Sequence, residues 1–301
     1  MDHQTTPYNL IHQPWIPVIR AEGGHDWIAP WQITEGIGGH PGDPVRRLAC
    51  PRPDFNGALH EFLIGLLTTC FTPKDENTWR AYWKTPPTPD ELKSAFMKYE
   101  HAFNLDGDGP RFMQDFDELD GEDVPVSGLL MDEPGSNTLT RNADHFIKRG
   151  GMTVLGQPAA AIALFTLQTY APGGGAGHRT SLRGGGPLST LVTTGQNMWE
   201  RLWPNVETKK QIASRAGRLL ENEPKTIFPW LAPTLTSEKK TGRKVTPDDA
   251  HPLQVYWGMP RRIRLNFIPK SDEVCSLTGQ VEATVIKSYV TKNYGIEYSE
   301  G

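Results

Sequence analysis

Apolar residues at helical spacing stand out first between Asn56 and Phe71, where Leu59, Phe62, Leu63, Leu66 and Leu67 share one face and Asp54 is placed to cap the start. His60 and Glu61 fall on this helix and read as a solvated or half-buried flank. Before it, residues 8–20 (YNLIHQPWIPVIR) read as a strand with prolines at its bends, closed by a Gly-Gly turn at 23–24. Trp27-Ile28 suggests a second strand, and Trp31-Gln32-Ile33 a short helix or turn. Beyond the proline-rich Thr85–Pro89, Asp90-Glu91 opens a helix to about His101, with acids in its first turn as the dipole prefers. Helical patterning returns at 197–202 and 209–220, and residues 255–265 and 281–298 read as strands. Residues 136–158 have no sustained period and form a long loop, a feature usually tied to function or disorder. Residues 235–249 are polar, unpatterned and expected to be mobile. The pattern predicts an α+β fold: a large, mixed, loop-rich single domain of short strands and helices spanning residues 1–301.

One stretch fits neither period. Ala171 to Pro187 (APGGGAGHRTSLRGGGP) holds seven glycines and two prolines, which rules out a helix or a central strand. The apolar runs 159–167 and 188–192 flank it and look buried, so the loop is pinned at both ends. Glycines at this density allow a backbone to come unusually close to a ligand. His178, Arg179 and Arg183 point to an anionic one.

Charge sharpens this picture. The net charge is −4, which argues against a freestanding nucleic-acid binder. Yet from Asp90 to Glu133 thirteen Asp/Glu face three Lys/Arg, whereas from Ser136 to Gly195 five Lys/Arg face one acid, Asp144. The local balance therefore permits a polyanion site. Cys50, Cys70 and Cys275 form no CxxC pair, no apolar run reaches the ~18 residues of a membrane span, and the N-terminus has no secretory pattern. Free thiols, a cytoplasmic location and no membrane contact are expected.

Signatures of catalysis are missing. Gly177 is followed by His178-Arg179-Thr180 where a phosphate loop has Gly-Lys-Ser/Thr, and the G-x-G-x-x-G, G-x-S-x-G and H-E-x-x-H patterns do not occur. Asp106-Gly107-Asp108-Gly109-Pro110 starts like a calcium loop, but Pro110 occupies a ligand position, so an ordinary turn is expected. The acidic run 115–123 reads as a solvated face. Neither a cofactor nor a metal is called for. Binding uses the loop better: exposed backbone N–H groups approach a groove or phosphate, arginines supply counter-charge, and Phe146-Ile147 offers an apolar wedge. Two plainer alternatives stay open. The glycines serve tight turns while Arg179 and Arg183 pair with the acidic segment, or the loop belongs to a nucleotide-binding or phosphoester enzyme.

The run AAIALFTLQTYAPGGGAGHRTSLRGGGPLSTLV, with YNLIHQPWIPV, Pro110-Arg111-Phe112-Met113-Gln114, Trp257–Ile263 and Tyr294-Gly295 in the same order, resembles the CasA family, large subunits of the type I-E CRISPR surveillance complex Cascade. The resemblance implies a non-catalytic subunit that recognises the protospacer-adjacent motif of duplex DNA through the minor groove. It also implies help with unwinding and with recruiting a helicase-nuclease in antiviral defence. Its partners would be crRNA, other Cascade subunits, target double-stranded DNA and that effector. The family's glycine loop falls on Gly173, Gly174, Gly175 and Gly177, beside His178 and Arg179. Its preceding loop, near DNA and crRNA, falls on His145, Phe146, Ile147, Lys148 and Arg149, and its strand lysine on Lys292. Two departures are expected. Where some relatives hold a structural zinc with four thiolates only Cys275 remains, and the family's C-terminal helical bundle would lie beyond Gly301, making this the N-terminal domain.

Overall fold

The computed structural model describes residues 6–144, 150–175, 177–185, 189–216 and 223–299. Strand β1 (Ile16–Arg20) pairs antiparallel with β2 (His25–Ile28) on one edge and β3 (Val45–Leu48) on the other. The chain then enters α1 (Pro53–Cys70). Proline suits the first helical turn because its missing N–H is an orphan there anyway. Asp54 lies inside that turn, not at the cap, and accepts from Arg52. After α1 come α2 (Glu76–Lys84), which the sequence pattern did not reveal, and α3 (Pro89–Phe96), opened by a Thr88/Glu91 capping box.

Strand β4 (Asp123–Pro125), the short helix α4 (Ser136–Thr140) and β5 (Leu155–Gly156) lead to α5 (Gln157–Tyr170). Helices α1 and α5 pack together at the centre. Both are buried on nearly every face, which explains why neither is strongly amphipathic. Phe62 of α1 is the hub: the rings of Trp15, Phe103, Phe112, Phe165 and Trp257 surround it edge-on at 5.1–6.1 Å.

The remaining elements are α6 (Met198–Leu202), α7 (Lys209–Ala216), α8 (Pro224–Ile227), β6 (Lys244–Val245), α9 (Gln254–Trp257), β7 (Arg262–Val274), β8 (Val281–Lys292) and β9 (Glu297–Tyr298). Strand β8 organises the second sheet. It pairs with β7 along one edge and with β4 and β5, end to end, along the other. Strands β6 and β9 form a separate parallel pair. The mixed helices and open sheets make the fold α+β, as the pattern implied.

Four local expectations are corrected. Residues 254–257 turn as α9, and β7 starts only at Arg262. Helix α9 nests against α1 at Gly65, where an added Cβ would meet Tyr256 at 2.8 Å. The acidic run is not simply a solvated face: Asp115 is fully buried, pairs with Arg262 at 2.6 Å, and accepts at its carbonyl from Arg264, which also pairs with Glu118. Glu61 is not a flank residue, being only 3 % exposed. The 189–192 segment is largely exposed, Val192 at 50 %, so the glycine stretch is not pinned by a buried run on that side.

Candidate nucleic-acid interface

The loop begins where α5 stops. Ala171 leaves the helical region (φ −62°, ψ 134°), and Pro172 cannot continue the helix. The chain makes an excursion and returns to the same place. The Ser181 N–H donates to the Ala171 carbonyl at 3.0 Å, the Ser181 hydroxyl to the Leu167 carbonyl at 2.6 Å, and the Arg183 N–H to the Thr169 carbonyl at 2.8 Å. The last of these satisfies a carbonyl that the end of α5 leaves open, and the others tie the returning chain to the same turn. Within the excursion a tight turn joins Gly174 and His178, with Gly175 (φ +86°) and Gly177 (φ +81°) in the left-handed region.

The glycines divide by role. Gly173, Gly174 and Gly175 are exposed at the apex, and around Gly175 a side chain would meet nothing within 4 Å. Gly177 and Gly184 serve internal packing. An added Cβ would sit 2.6 Å from the Asn293 Cβ at the first and 2.0 Å from the Ala171 carbonyl oxygen at the second.

The end of β8 forms the other wall. The Tyr294 N–H donates to the Gly177 carbonyl at 2.7 Å, so the turn after Lys292 rests directly on the loop. Lys292 is half-buried and has no carboxylate partner among the described residues. The end of β8 that carries Lys292, the position to which the family resemblance assigns a strand lysine, thus lies beside the loop. His145, Phe146, Ile147, Lys148 and Arg149 lie outside the described residues.

Both loop arginines are committed to the protein. Arg179 pairs with Glu297 at 2.7 Å, donates to the Ser237 hydroxyl and carbonyl at 2.8 and 3.1 Å, and lies 5.8 Å from the Tyr294 ring centre. Ser237 in turn donates to the Gly295 carbonyl at 2.6 Å, so part of the 235–249 segment is fastened to the β8–β9 turn. Arg183 reaches the buried Glu61 of α1 at 3.1 Å and the Val255 carbonyl at 2.9 Å. The arginines therefore brace the loop, but on Glu297 and Glu61, not on the acidic segment. Burial and the neighbouring Arg261 hold the His178 imidazole below the ordinary histidine range, which favours its neutral form.

Arg261 was missed at the level of sequence, although Pro260-Arg261 runs directly into Arg262, the first residue of β7. Its Nη2 donates to the Pro172 carbonyl at 2.5 Å, directly beneath the loop. Asn293, Ser237 and Glu297 were also missed, since no local motif marks them, and Tyr294 was noted only as part of the family resemblance.

The geometry disfavours a phosphate loop. Such loops run into a helix N-terminus, whose free N–H groups and positive dipole end receive the phosphate. This one leaves a helix C-terminus, and the next described helix starts only at Met198. Among the described residues no three His, Cys, Asp or Glu side chains gather to hold a metal. Cys275 is buried, and the adjoining Ser276 N–H donates to the Val154 carbonyl at 2.8 Å. No helix of the described residues is long and apolar enough to cross a membrane.

Comparison with known proteins gives a consistent result. The family model for CRISPR-associated protein Cse1 matches residues 9–301. CRISPR-associated protein CasA/Cse1 of Thermus thermophilus is 28 % identical over 214 residues, covering 66 % of this chain and 39 % of its own. The crystal structure of Thermobifida fusca Cse1 superposes with a TM-score of 0.67 at 19 % identity, over 97 % of this chain and 52 % of that one. A chain from a CRISPR RNA-guided surveillance complex gives 0.60 at 15 % identity, over 96 % and 56 %. The chain thus spans about half the length of the relatives it matches.

Proposed function

The chain belongs to the family of CRISPR-associated protein Cse1, and from that premise we propose that it is the DNA-recognition part of the non-catalytic large subunit of a crRNA-guided Cascade complex. In this reading the exposed apex of the glycine loop and Lys292 address the protospacer-adjacent motif of target duplex through the minor groove. Crowding there excludes bulky side chains, and the edge pattern distinguishes chiefly A·T from G·C. A backbone apex with one lysine suits such a groove and should tolerate several motifs. crRNA and the other subunits supply guide pairing and most phosphate contacts, which reconciles a net charge of −4 with DNA binding. Help with unwinding and recruitment of a helicase-nuclease belong to the same proposal.

The observation that carries it is the division of the glycines: three lie bare at an exposed apex where the fold itself does not need them all. Gly173 gives the cleanest test. It is exposed, its φ lies outside the left-handed region, and an added Cβ would meet only the Thr180 hydroxyl at 3.2 Å. Gly173→Val is expected to change stability by no more than about 0.5 kcal/mol, as surface substitutions usually do. It should nevertheless weaken binding of motif-bearing duplex by the assembled complex roughly tenfold or more, the ~1.4 kcal/mol equivalent of losing close groove contact. Gel shifts on duplexes differing only beside the target decide the matter. Equal binding by variant and parent, or a parent indifferent to the motif, refutes the proposal.

A further inference from the structure

We propose that Arg261 is an anion-binding residue of this interface, contacting a phosphodiester oxygen of the duplex beside the groove that the glycine apex enters. The inference rests on the reading above and adds a residue and a chemistry to it.

Arg261 is the one arginine around the loop without a counter-charge among the described residues. Arg179 has Glu297, Arg183 has Glu61, Arg262 has Asp115 and Arg264 has Glu118. Its backbone is fixed on both sides by the fully buried Gln168, which accepts from the Arg261 N–H at 2.9 Å and donates to its carbonyl at 2.8 Å. The side chain therefore starts from a rigid point. Its bond to the Pro172 carbonyl uses one N–H of the five that a guanidinium carries. Nε is enclosed and has no hydrogen-bond partner among the described residues. Nη1 lies 3.3 Å from where a Cβ on Gly174 would stand, so the missing side chain of Gly174 keeps this edge of the guanidinium uncovered. Burial opposes the charge, and that charge in turn depresses His178. An uncompensated, half-buried cation beside an exposed glycine is a place where an anion lowers the electrostatic cost of the fold. A phosphate is suited to it, because a guanidinium offers paired donors to its oxygens.

Each phosphate neutralised contributes about 0.9 to the slope of log K against log salt on duplex DNA. Arg261→Gln in the assembled complex is therefore expected to reduce that slope by about 0.9. Motif-bearing and motif-free duplexes should be weakened by the same factor, while Arg261→Lys keeps the slope. A slope unchanged in Arg261→Gln, or a loss confined to motif-bearing duplex, overturns the proposal and leaves Arg261 only a brace for Pro172. Should Arg261→Gln fail to assemble, modification of the parent complex by phenylglyoxal gives the answer: duplex is expected to protect Arg261, and equal modification with and without DNA refutes the contact. The slope is readable on motif-free duplex. A parent complex without motif preference therefore defeats the groove-reading proposal and not this one.

Discussion

Arg183→Ala is expected to destabilise the protein by about 3 kcal/mol or more, at the lower end of what breaking one side of a buried ion pair costs. Arg183 and Glu61 have side chains only 12 % and 5 % exposed, so removing the guanidinium leaves a carboxyl group in the interior with no opposing charge. The sign of the pH dependence follows from Glu61. Burial already pushes its carboxyl up, against the pull of Arg183. Without the arginine its folded pKa rises further, and the cost of ionising it grows as pH climbs through the carboxylate range towards that raised value. Below that range the carboxyl is neutral in both folded and unfolded states and the cost disappears. The deficit of Arg183→Ala relative to the parent should thus be largest near neutral pH and shrink as pH falls towards the ordinary glutamate range. Urea unfolding at several pH values measures it. The double variant Glu61→Gln/Arg183→Met should recover most of the loss, since replacing both members of a buried pair is far cheaper than orphaning one. A deficit independent of pH, or no recovery in the double variant, contradicts the assignment. The loop is affected too, because Arg183 ties its return limb to α1 and to the Val255 carbonyl. Duplex binding by the variant complex should weaken even where the chain remains folded.

That pair also shows where sequence reading stops. Helix α1 was legible because its leucines repeat at helical spacing, and the glycine stretch because no regular element tolerates such composition. What Glu61 faces was not legible. Its partner lies on a distant loop, and a lone carboxylate next to a histidine on a helix is usually a solvated flank. The same holds for Arg179, whose true partners Ser237 and Glu297 arrive through the β8–β9 turn. Val255-Tyr256-Trp257 failed differently. A short apolar run fits a buried strand or a buried helix equally well, and only the close approach to Gly65 selects the helix. Arg261 carried a visible signal in its basic dipeptide, but its lack of an acidic partner among the described residues is a property of three-dimensional packing. The glycines were the most telling feature and also the most mixed. Composition says that the stretch holds seven of them, yet not that Gly184 is needed to clear the Ala171 carbonyl while Gly175 has open space around it.

Gly177→Val is expected to damage both the fold around the loop and its function, unlike substitution at the apex. At φ +81° an L-residue pays roughly 1–2 kcal/mol for the left-handed conformation alone. The added Cβ would stand 2.6 Å from the Asn293 Cβ, an atom held close to the main chain that cannot swing aside. Relieving the overlap means moving the loop away from the turn after Lys292, at a further cost of about 1–3 kcal/mol typical of overpacking. It also breaks the 2.7 Å bond from the Tyr294 N–H to the Gly177 carbonyl. Tyr294 has its own positive φ of 62° and is held there partly by that bond, so the turn should relax with it. The glycine apex and Lys292 then no longer share one rigid wall, and motif discrimination should fall along with affinity. Because the first carbon causes the clash, Gly177→Ala should already show most of the loss. This ordering separates packing at Gly177 from groove approach at Gly173, where side-chain size governs the effect on binding and stability stays near the parent value. Thermal melts paired with duplex binding on alanine and valine variants at both positions test it. An alanine at 177 that melts and binds like the parent removes the close contact between the loop and the end of β8 from the account.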